Sequence, residues 1–391
     1  MDRSVTAIIA TYNRARYIEQ AIDSILAQRE PVTQLIVVDD GSTDDTASRV
    51  AKYGPPVEYV HKPNGGKSSA VNLGLNRARG KWVWLFDDDD IAMPEATRLL
   101  LDALEAEPGA DLAYGGQVIA DESPDGRLVD HRVVLATVEP DDALLLNVLQ
   151  GFCFRLQAML IRRDCFDQIG LLDERFLRGQ DYELMVRLVQ RFRATRVMKP
   201  ILTWRQHAGE RGPAKLVHAA NERDRHWGQF DALLGREVRA TYGLGEFLVP
   251  RSTSSELSAA ERSTALFHRA AVMATKGLVE EFAEDLGASF AALPRDAHLG
   301  PGQRKLMIRT GGNPRWLARV AEAPGAVTQA LHQLPRQPAM REAVACIARA
   351  LFYETRLATG ESALRRRRYL RCALALARIA GPRALARAYG R

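Results

Sequence analysis

The apolar run Trp82-Val83-Trp84-Leu85-Phe86 stops at four consecutive aspartates, Asp87 to Asp90. A run this short and this apolar suits a strand buried on both faces. Adjacent carboxylates repel one another, so a fold accepts them only where water, hydrogen bonds or a cation offsets the charge. The carboxyl ends of the strands in an open α/β sheet form the edge where ligands bind. A divalent cation holding a phosphorylated substrate would meet that demand. The competing reading is a solvated, charged loop.

The same layout recurs upstream. Val5 to Ala10 reads as a buried strand, followed by a helical pattern through Ile18, Ala21, Ile22, Ile25 and Leu26. Leu35-Ile36-Val37-Val38 reads as a second strand ending at Asp39-Asp40-Gly41, with Ser42 and Thr43 as N-cap candidates for the next helix. Val57 to Val60 is a third strand. Asn64-Gly65-Gly66 is a turn that opens a helix through Val71, Leu75 and Ala78, and Lys81 to Phe86 is the fourth strand. Successive βα units predict an α/β fold with a mainly parallel sheet flanked by helices. Further on, Asp111–Ile119 and Ala158–Ile161 read as strands and Asp181–Arg191 as a helix. Glu256–Phe290 and Met340–Ala380 read as amphipathic helices. The expected organisation is a catalytic α/β domain over residues 1–235 and a helical domain over residues 236–391.

Hydrophobic residues make up 46% of the 391 residues, which places the chain among globular proteins. Neither a signal peptide nor a spanning helix is expected. Cys153, Cys165, Cys346 and Cys372 have no C-x-x-C spacing, so reduced thiols and a cytoplasmic setting are expected. Residues 361–391 hold nine arginines and one acid, Glu361, a local charge of +8 against +6 for the whole chain. The rest of the chain is therefore close to neutral, and nucleic acid is not an expected partner of the main domain. Helical geometry puts Arg367, Arg371 and Arg378 on one stripe, with Tyr369, Cys372, Leu376 and Ala380 opposite. Such a helix suits peripheral contact with the inner membrane surface through residues 361–391. The alternative is a solvated face of a packed helix.

Two nucleotide-binding motifs are excluded. Asn64-Gly65-Gly66-Lys67-Ser68 is not a P-loop, because His61 stands where that motif needs its first glycine. No G-x-G-x-x-G follows the first strand. Yet a parallel sheet would bring Thr11-Tyr12-Asn13-Arg14, Asp39-Asp40, Gly65-Gly66-Lys67 and Asp87–Asp90 to one rim. That rim offers carboxylates, amides at helix starts, a lysine and an arginine, an inventory suited to a metal-bridged diphosphate of a sugar nucleotide.

Taken in order, Thr11-Tyr12-Asn13-Arg14, Val37-Val38-Asp39-Asp40-Gly41-Ser42, Asn64-Gly65-Gly66 and Asp87–Asp90 with Pro94 resemble the family-2 glycosyltransferases of the GT-A fold, over about residues 4–210. The resemblance implies inverting transfer of a sugar from a nucleoside-diphosphate sugar donor to an acceptor hydroxyl. The acceptor would be a glycan, a lipid-linked sugar or a small molecule, in glycan, polysaccharide or glycoconjugate synthesis. It assigns Asp39 to the nucleobase and Thr11, Tyr12, Asn13 and Arg14 to the nucleotide pocket. Asp87 and Asp89 match the D-x-D element: Asp89 would bind Mn²⁺ or Mg²⁺ and Asp87 would lie against the ribose. Asp88 and Lys67 join the donor site; for Lys67 a solvated helix face is the alternative. Gly179-Gln180-Asp181-Tyr182-Glu183-Leu184 resembles the family's acidic motif, with Asp181 as the catalytic base, although Gln180 replaces an acid that the family often carries. A helix cap is the other reading of Asp181. Glu183, two residues on, would point about 200° away. Trp204-Arg205-Gln206-His207 follows an expected strand at Arg196-Val197-Met198 and resembles a strand-then-histidine element whose His207 can complete the metal shell; a surface histidine in a loop with Gly209 and Gly212 is the alternative. The Q-x-x-R-W motif and membrane spans of processive members are not seen, so one sugar per acceptor is expected.

Two other classes compete. A nucleotidyltransferase acting on sugar phosphates would share the α/β sheet but needs a glycine-rich loop after the first strand, and Ala10-Thr11-Tyr12-Asn13-Arg14 lacks the glycines. A non-catalytic carbohydrate- or partner-binding module would not need intact carboxylates at both the metal and base positions.

Overall fold

The computed structural model describes residues 2–123, 125–136, 143–151, 154–207, 220–254, 256–357 and 363–390. Strands and helices run in the order β1 (Val5–Thr11), α1 (Ile18–Leu26), β2 (Gln34–Asp39), α2 (Thr46–Val50), β3 (Val57–His61), α3 (Lys67–Leu75), β4 (Trp82–Asp87), β5 (Ile91–Ala92), α4 (Ala96–Ala106), β6 (Leu112–Glu122), β7 (Leu128–Val134), α5 (Leu144–Gln150), β8 (Met159–Arg162), α6 (Cys165–Ile169), α7 (Gln180–Arg191) and β9 (Ala194–Gln206). Val5, Ala7 and Ile9 of β1 enter one buried cluster with Ile18, Ile22 and Ile25 of α1 and Leu100, Leu101 and Leu104 of α4. Ile8 faces the other way, onto α3, where a Cβ on Gly74 would lie 2.5 Å from its Cγ2. This two-sided burial is why the strands are apolar throughout rather than alternating.

The strands form one mixed sheet in the order β3-β2-β1-β4-β8-β6-β9-β5, with β7 paired to β6. The β3-β2-β1-β4 part is parallel, and its register makes the strands end together: Thr11 pairs with Asp39, Asp39 with His61, and Ala10 with Asp87. The other pairs are antiparallel except β6 with β9. The short β5 lies antiparallel to the end of β9, Ile91 opposite Thr203, and so ties the aspartate loop to the last strand.

Two local expectations change. Ser42 and Thr43 do not cap α2, whose N-cap is Asp45. They lace two loops together instead: Asn13 N donates to Ser42 Oγ at 2.9 Å, and Thr43 N donates to Asn13 Oδ1 at 2.8 Å. Strand β9 also continues past Met198 through Trp204 to Gln206, because register shifts opposite Tyr114 to Gln117 absorb Pro200. Cys165, Cys346 and Cys372 are buried free thiols; Cys153 lies outside the described residues.

The chain divides into two compact units, Met1–Glu139 with Phe152–Arg223, and Pro140–Gly151 with Asp224–Arg391. The second takes in α5 and most of α8 (Ala220–Thr241). It continues with α9 (Ala259–Thr275), α10 (Val279–Ala291), α11 (Pro301–Gly311), α12 (Pro314–Glu322), α13 (Pro324–His332), α14 (Pro338–Leu357), α15 (Ala363–Ala380) and α16 (Pro382–Ala388). Its buried acids are pinned by arginines. Asp285 on α10 accepts from Arg269 of α9 at 2.6 and 2.8 Å and from Arg239 of α8 at 3.1 Å. Glu342 on α14 accepts from Arg387 of α16 at 2.9 Å and from the backbone N of Leu299 at 2.9 Å, and lies 2.7 Å from His298 Nδ1. No helix among the described residues is long and apolar enough to cross a membrane.

Candidate active site

The shared ending of β1 to β4 builds the site from backbone upward. Asp39, fully buried at the end of β2, accepts from Ser42 N at 2.7 Å and from the Tyr59 hydroxyl at 2.6 Å. Asp40 takes the next turn. Its carboxylate accepts from Gly65 N at 2.9 Å, Gly66 N at 2.7 Å and Lys62 Nζ at 2.6 Å. The two amides of the turn that leads into α3 are thus held by an internal carboxylate. The turn needs glycine: Gly66 has φ +92°, and a Cβ on Gly41 (φ +82°) would come within 2.9 Å of Asn64 N. In the first loop Asn13 sits at φ 52°, and Arg14 N donates to Thr46 Oγ1 at 3.0 Å. Thr11 is buried and Tyr12 half-buried beside them.

The aspartate run divides by direction. Asp87, Asp89 and Asp90 each offer a carboxylate oxygen, and the three atoms lie within 4.8 Å of one another. Asp88 turns instead to Arg14, 3.6 Å from its Nε. Asp90 is 1% exposed; its Oδ1 accepts from Arg205 N at 3.0 Å, and its Oδ2 is buried without a partner among the described residues. Burial, then the charge of Asp89, pushes Asp88 up to about 7 and Asp90 well above the ordinary carboxylate range. Burial also raises Asp87, against the pull of Lys67. Crowded anionic oxygens, one of them orphaned, form a hard-oxygen donor set that fits Mg²⁺ or Mn²⁺.

Lys67, the first residue of α3, connects this cluster to the candidate base. Its Nζ donates to Asp87 Oδ1 at 2.7 Å and to Asp181 Oδ2 at 2.9 Å. Burial works against its charge, but Asp181 and Asp87 outweigh it and raise its pKa above the ordinary lysine value. Asp181 lies in the first turn of α7, whose N-cap is Gly179 in the left-handed region, and no side chain caps that helix. Asp181 therefore reaches across the site instead of capping. Gln157 Nε2 also donates to its Oδ2, at 3.2 Å. Both bonds fall on one oxygen, and Oδ1 accepts none among the described residues. Glu183 is 5% exposed and forms a two-pronged ion pair with Arg187 at 2.5 and 2.7 Å, away from Asp181, as the helical angle predicts.

The His207 side chain is buried, with Nε2 3.0 Å from Asp89 Oδ2 and its ring tilted against Tyr17 at 4.8 Å. It sits beside the carboxylate cluster but outside the set of mutually close ligand atoms. Three residues support the site in ways that the sequence pattern does not show. Gln157 lies in a single 3-10 turn, Leu156–Ala158, anchored where its carbonyl accepts from Trp84 Nε1 at 2.7 Å. Asp40 organises the α3 turn. Arg205 is 1% exposed and braces the aspartate loop: its Nε donates to Asp89 O at 2.9 Å and its Nη1 to Glu122 Oε1 at 3.1 Å, and its guanidinium lies 4.9 Å from the Tyr17 ring centre.

The family described as glycosyl transferase family 2 matches residues 6–169, the stretch that holds all four strand ends and Gln157. The chain carries a family-2 glycosyltransferase domain. A Rickettsia felis protein named as an uncharacterized glycosyltransferase is 30% identical over 237 residues, covering 58% of this chain and 38% of the relative. This chain thus spans about two fifths of that relative's length. The succinoglycan biosynthesis protein ExoO of Rhizobium meliloti is 37% identical over 125 residues, 32% of this chain and 35% of that protein. Among solved structures, S. aureus TarS in complex with UDP-GlcNAc aligns with 96% of this chain and 92% of its own, at 18% identity and a TM-score of 0.49. The glycosyltransferase domain provides the frame; Asp181 and His207 lie beyond the matched residues and join the site through space.

Proposed function

We propose that this chain transfers a sugar from a nucleoside-diphosphate donor to an acceptor hydroxyl, with inversion at the anomeric carbon and with Mn²⁺ or Mg²⁺ as cofactor. The observation that carries the reading is the Asp87–Lys67–Asp181 link, which sets a carboxylate with one open oxygen beside a three-carboxylate cluster. Asp181 Oδ1 is the group that takes the proton from the acceptor hydroxyl as it attacks. Gln157 and Lys67 fix the other oxygen and so aim the base. Asp89, with Asp90 and Asp87, would hold the cation, and His207 would fix Asp89 or join it as a ligand. A cation held there would supply positive charge to the departing diphosphate. Asp39 and Tyr59 line the nucleobase end, Thr11, Tyr12, Asn13 and Arg14 flank the nucleotide, and Asp87 and Asp88 border the ribose and diphosphate. Lys67 serves that diphosphate once the donor enters. Inversion needs one base and no second carboxylate as nucleophile, and Glu183 is held by Arg187. The Rhizobium relative named for succinoglycan biosynthesis supports glycan assembly as the setting.

The test is a panel of nucleotide sugars incubated with the protein and Mn²⁺. Release of free nucleoside diphosphate, lost with chelator, is expected. Pyrophosphate as product would instead favour nucleotidyl transfer, and neither product with any donor would leave a binding module.

A further inference from the structure

The apolar side of α15 is not available to a membrane. Tyr369, Cys372, Ala373, Leu376 and Ala380 are buried in the helical unit. The arginine side, however, is not purely polar. Leu364, Leu370 and Leu374 are 59%, 40% and 45% exposed, large values for leucine. At about 100° per residue they share an arc of about 120° with Arg367, Arg371 and Arg378. Exposed Leu357 and Tyr353, at the end of the preceding helix α14, add apolar surface close along the chain. Residues 363–390 contain eight arginines and no acid, so this segment carries no carboxylate of its own.

We infer that the outer face of α15 is a docking surface for an anionic lipid bilayer. Arginines on the arc meet lipid phosphates, and the leucines between them enter the boundary between headgroups and acyl chains. Their long arginine stems cover apolar surface while the guanidiniums stay at the phosphates. The alternation favours a bilayer over nucleic acid, which would satisfy the arginines but set three leucines against sugar and phosphate. The binding is peripheral and reversible, because the helix keeps its buried face in the protein. This inference does not depend on the proposed transfer reaction.

The test is sedimentation of the whole chain with vesicles, without any donor. On vesicles with about 30% phosphatidylglycerol, partitioning should exceed that on pure phosphatidylcholine at least about ten-fold, and salt near 0.5 M should abolish the difference. Replacing Arg367, Arg371 and Arg378 together by Gln should weaken anionic binding about 100-fold, on the basis of about five-fold per arginine. The triple Lys replacement should retain most of it, and Leu370→Ser with Leu374→Ser should weaken it several-fold. All five replaced side chains are exposed, so melting temperatures should hold. Equal recovery on neutral and anionic vesicles overturns the inference without any variant. So does anionic binding that survives the Gln replacement, or a leucine face that drives only self-association.

Discussion

Asp285 and Glu342 in the helical unit and Asp87 to Asp90 in the sheet unit are all carboxylates drawn largely out of water, yet their partners differ. Asp285 is gripped by two guanidiniums, and Glu342 by Arg387 and His298 with a backbone amide. Each ties together three segments of the helical unit. At the sheet edge the balance is reversed. Lys67 serves Asp87 and Asp181 together, Arg14 stands 3.6 Å from Asp88, and Asp90 has a backbone amide and one orphaned oxygen. Matched charges fasten a structure; a deficit of positive charge waits for a ligand.

The contrast can be broken most sharply at the base. Asp181→Asn should cut turnover about 10³- to 10⁴-fold while donor affinity stays within about two-fold. Nucleoside diphosphate release and calorimetric donor titration measure the two; normal turnover would refute the assignment. Next, Asp89→Ala should abolish the Mn²⁺-dependent rise in melting temperature and lower turnover at least about 10²-fold. Unchanged Mn²⁺ affinity would remove Asp89 as ligand, and the same titration in His207→Ala separates ligation from support.

A paired stability measurement follows. Asp285→Asn strips the counter-charge from Arg239 and Arg269 and should destabilise by about 3 kcal/mol. Asp90→Asn keeps the acceptor for Arg205 N and removes an uncompensated carboxylate, so cation-free stability should hold or rise. Equal losses from both in urea unfolding would erase the distinction between the two regions. The smallest effect is pH-dependent. Because Asp88 is raised to about 7 in the fold, the native state binds the extra proton between about pH 4 and 7. Cation-free stability should therefore fall as pH rises through that window. Asp88→Asn should remove on the order of 1–2 kcal/mol of that fall, and an unaltered slope would show that Asp88 titrates normally.

The elements that locate the site were legible because strands buried on both faces read as apolar runs, and parallel register makes their polar ends coincide. Asp181 was legible as a motif, and the excluded competitor Glu183 followed from helical angle alone. What escaped depends on partners distant in sequence. Ser42 and Thr43 look like caps, but Asn13 claims both. Gln157 has ordinary neighbours and acquires its place only through Trp84 and Asp181. Asp40 looked like one more rim carboxylate and is spent on the α3 turn. On α15 the period of the buried stripe was readable, whereas the leucines among the arginines became significant only once the buried side was known.

The two-residue strand β5 has a thermodynamic consequence. With β4 paired to β1 on one side of the aspartates and β5 paired to β9 on the other, little chain between them is free to wander. Capture of a cation there would require almost no loop ordering, because the conformational entropy is surrendered during folding rather than at binding. The repulsion among the aspartates, held in place by those two pairings, becomes a standing bias toward whichever hard cation arrives.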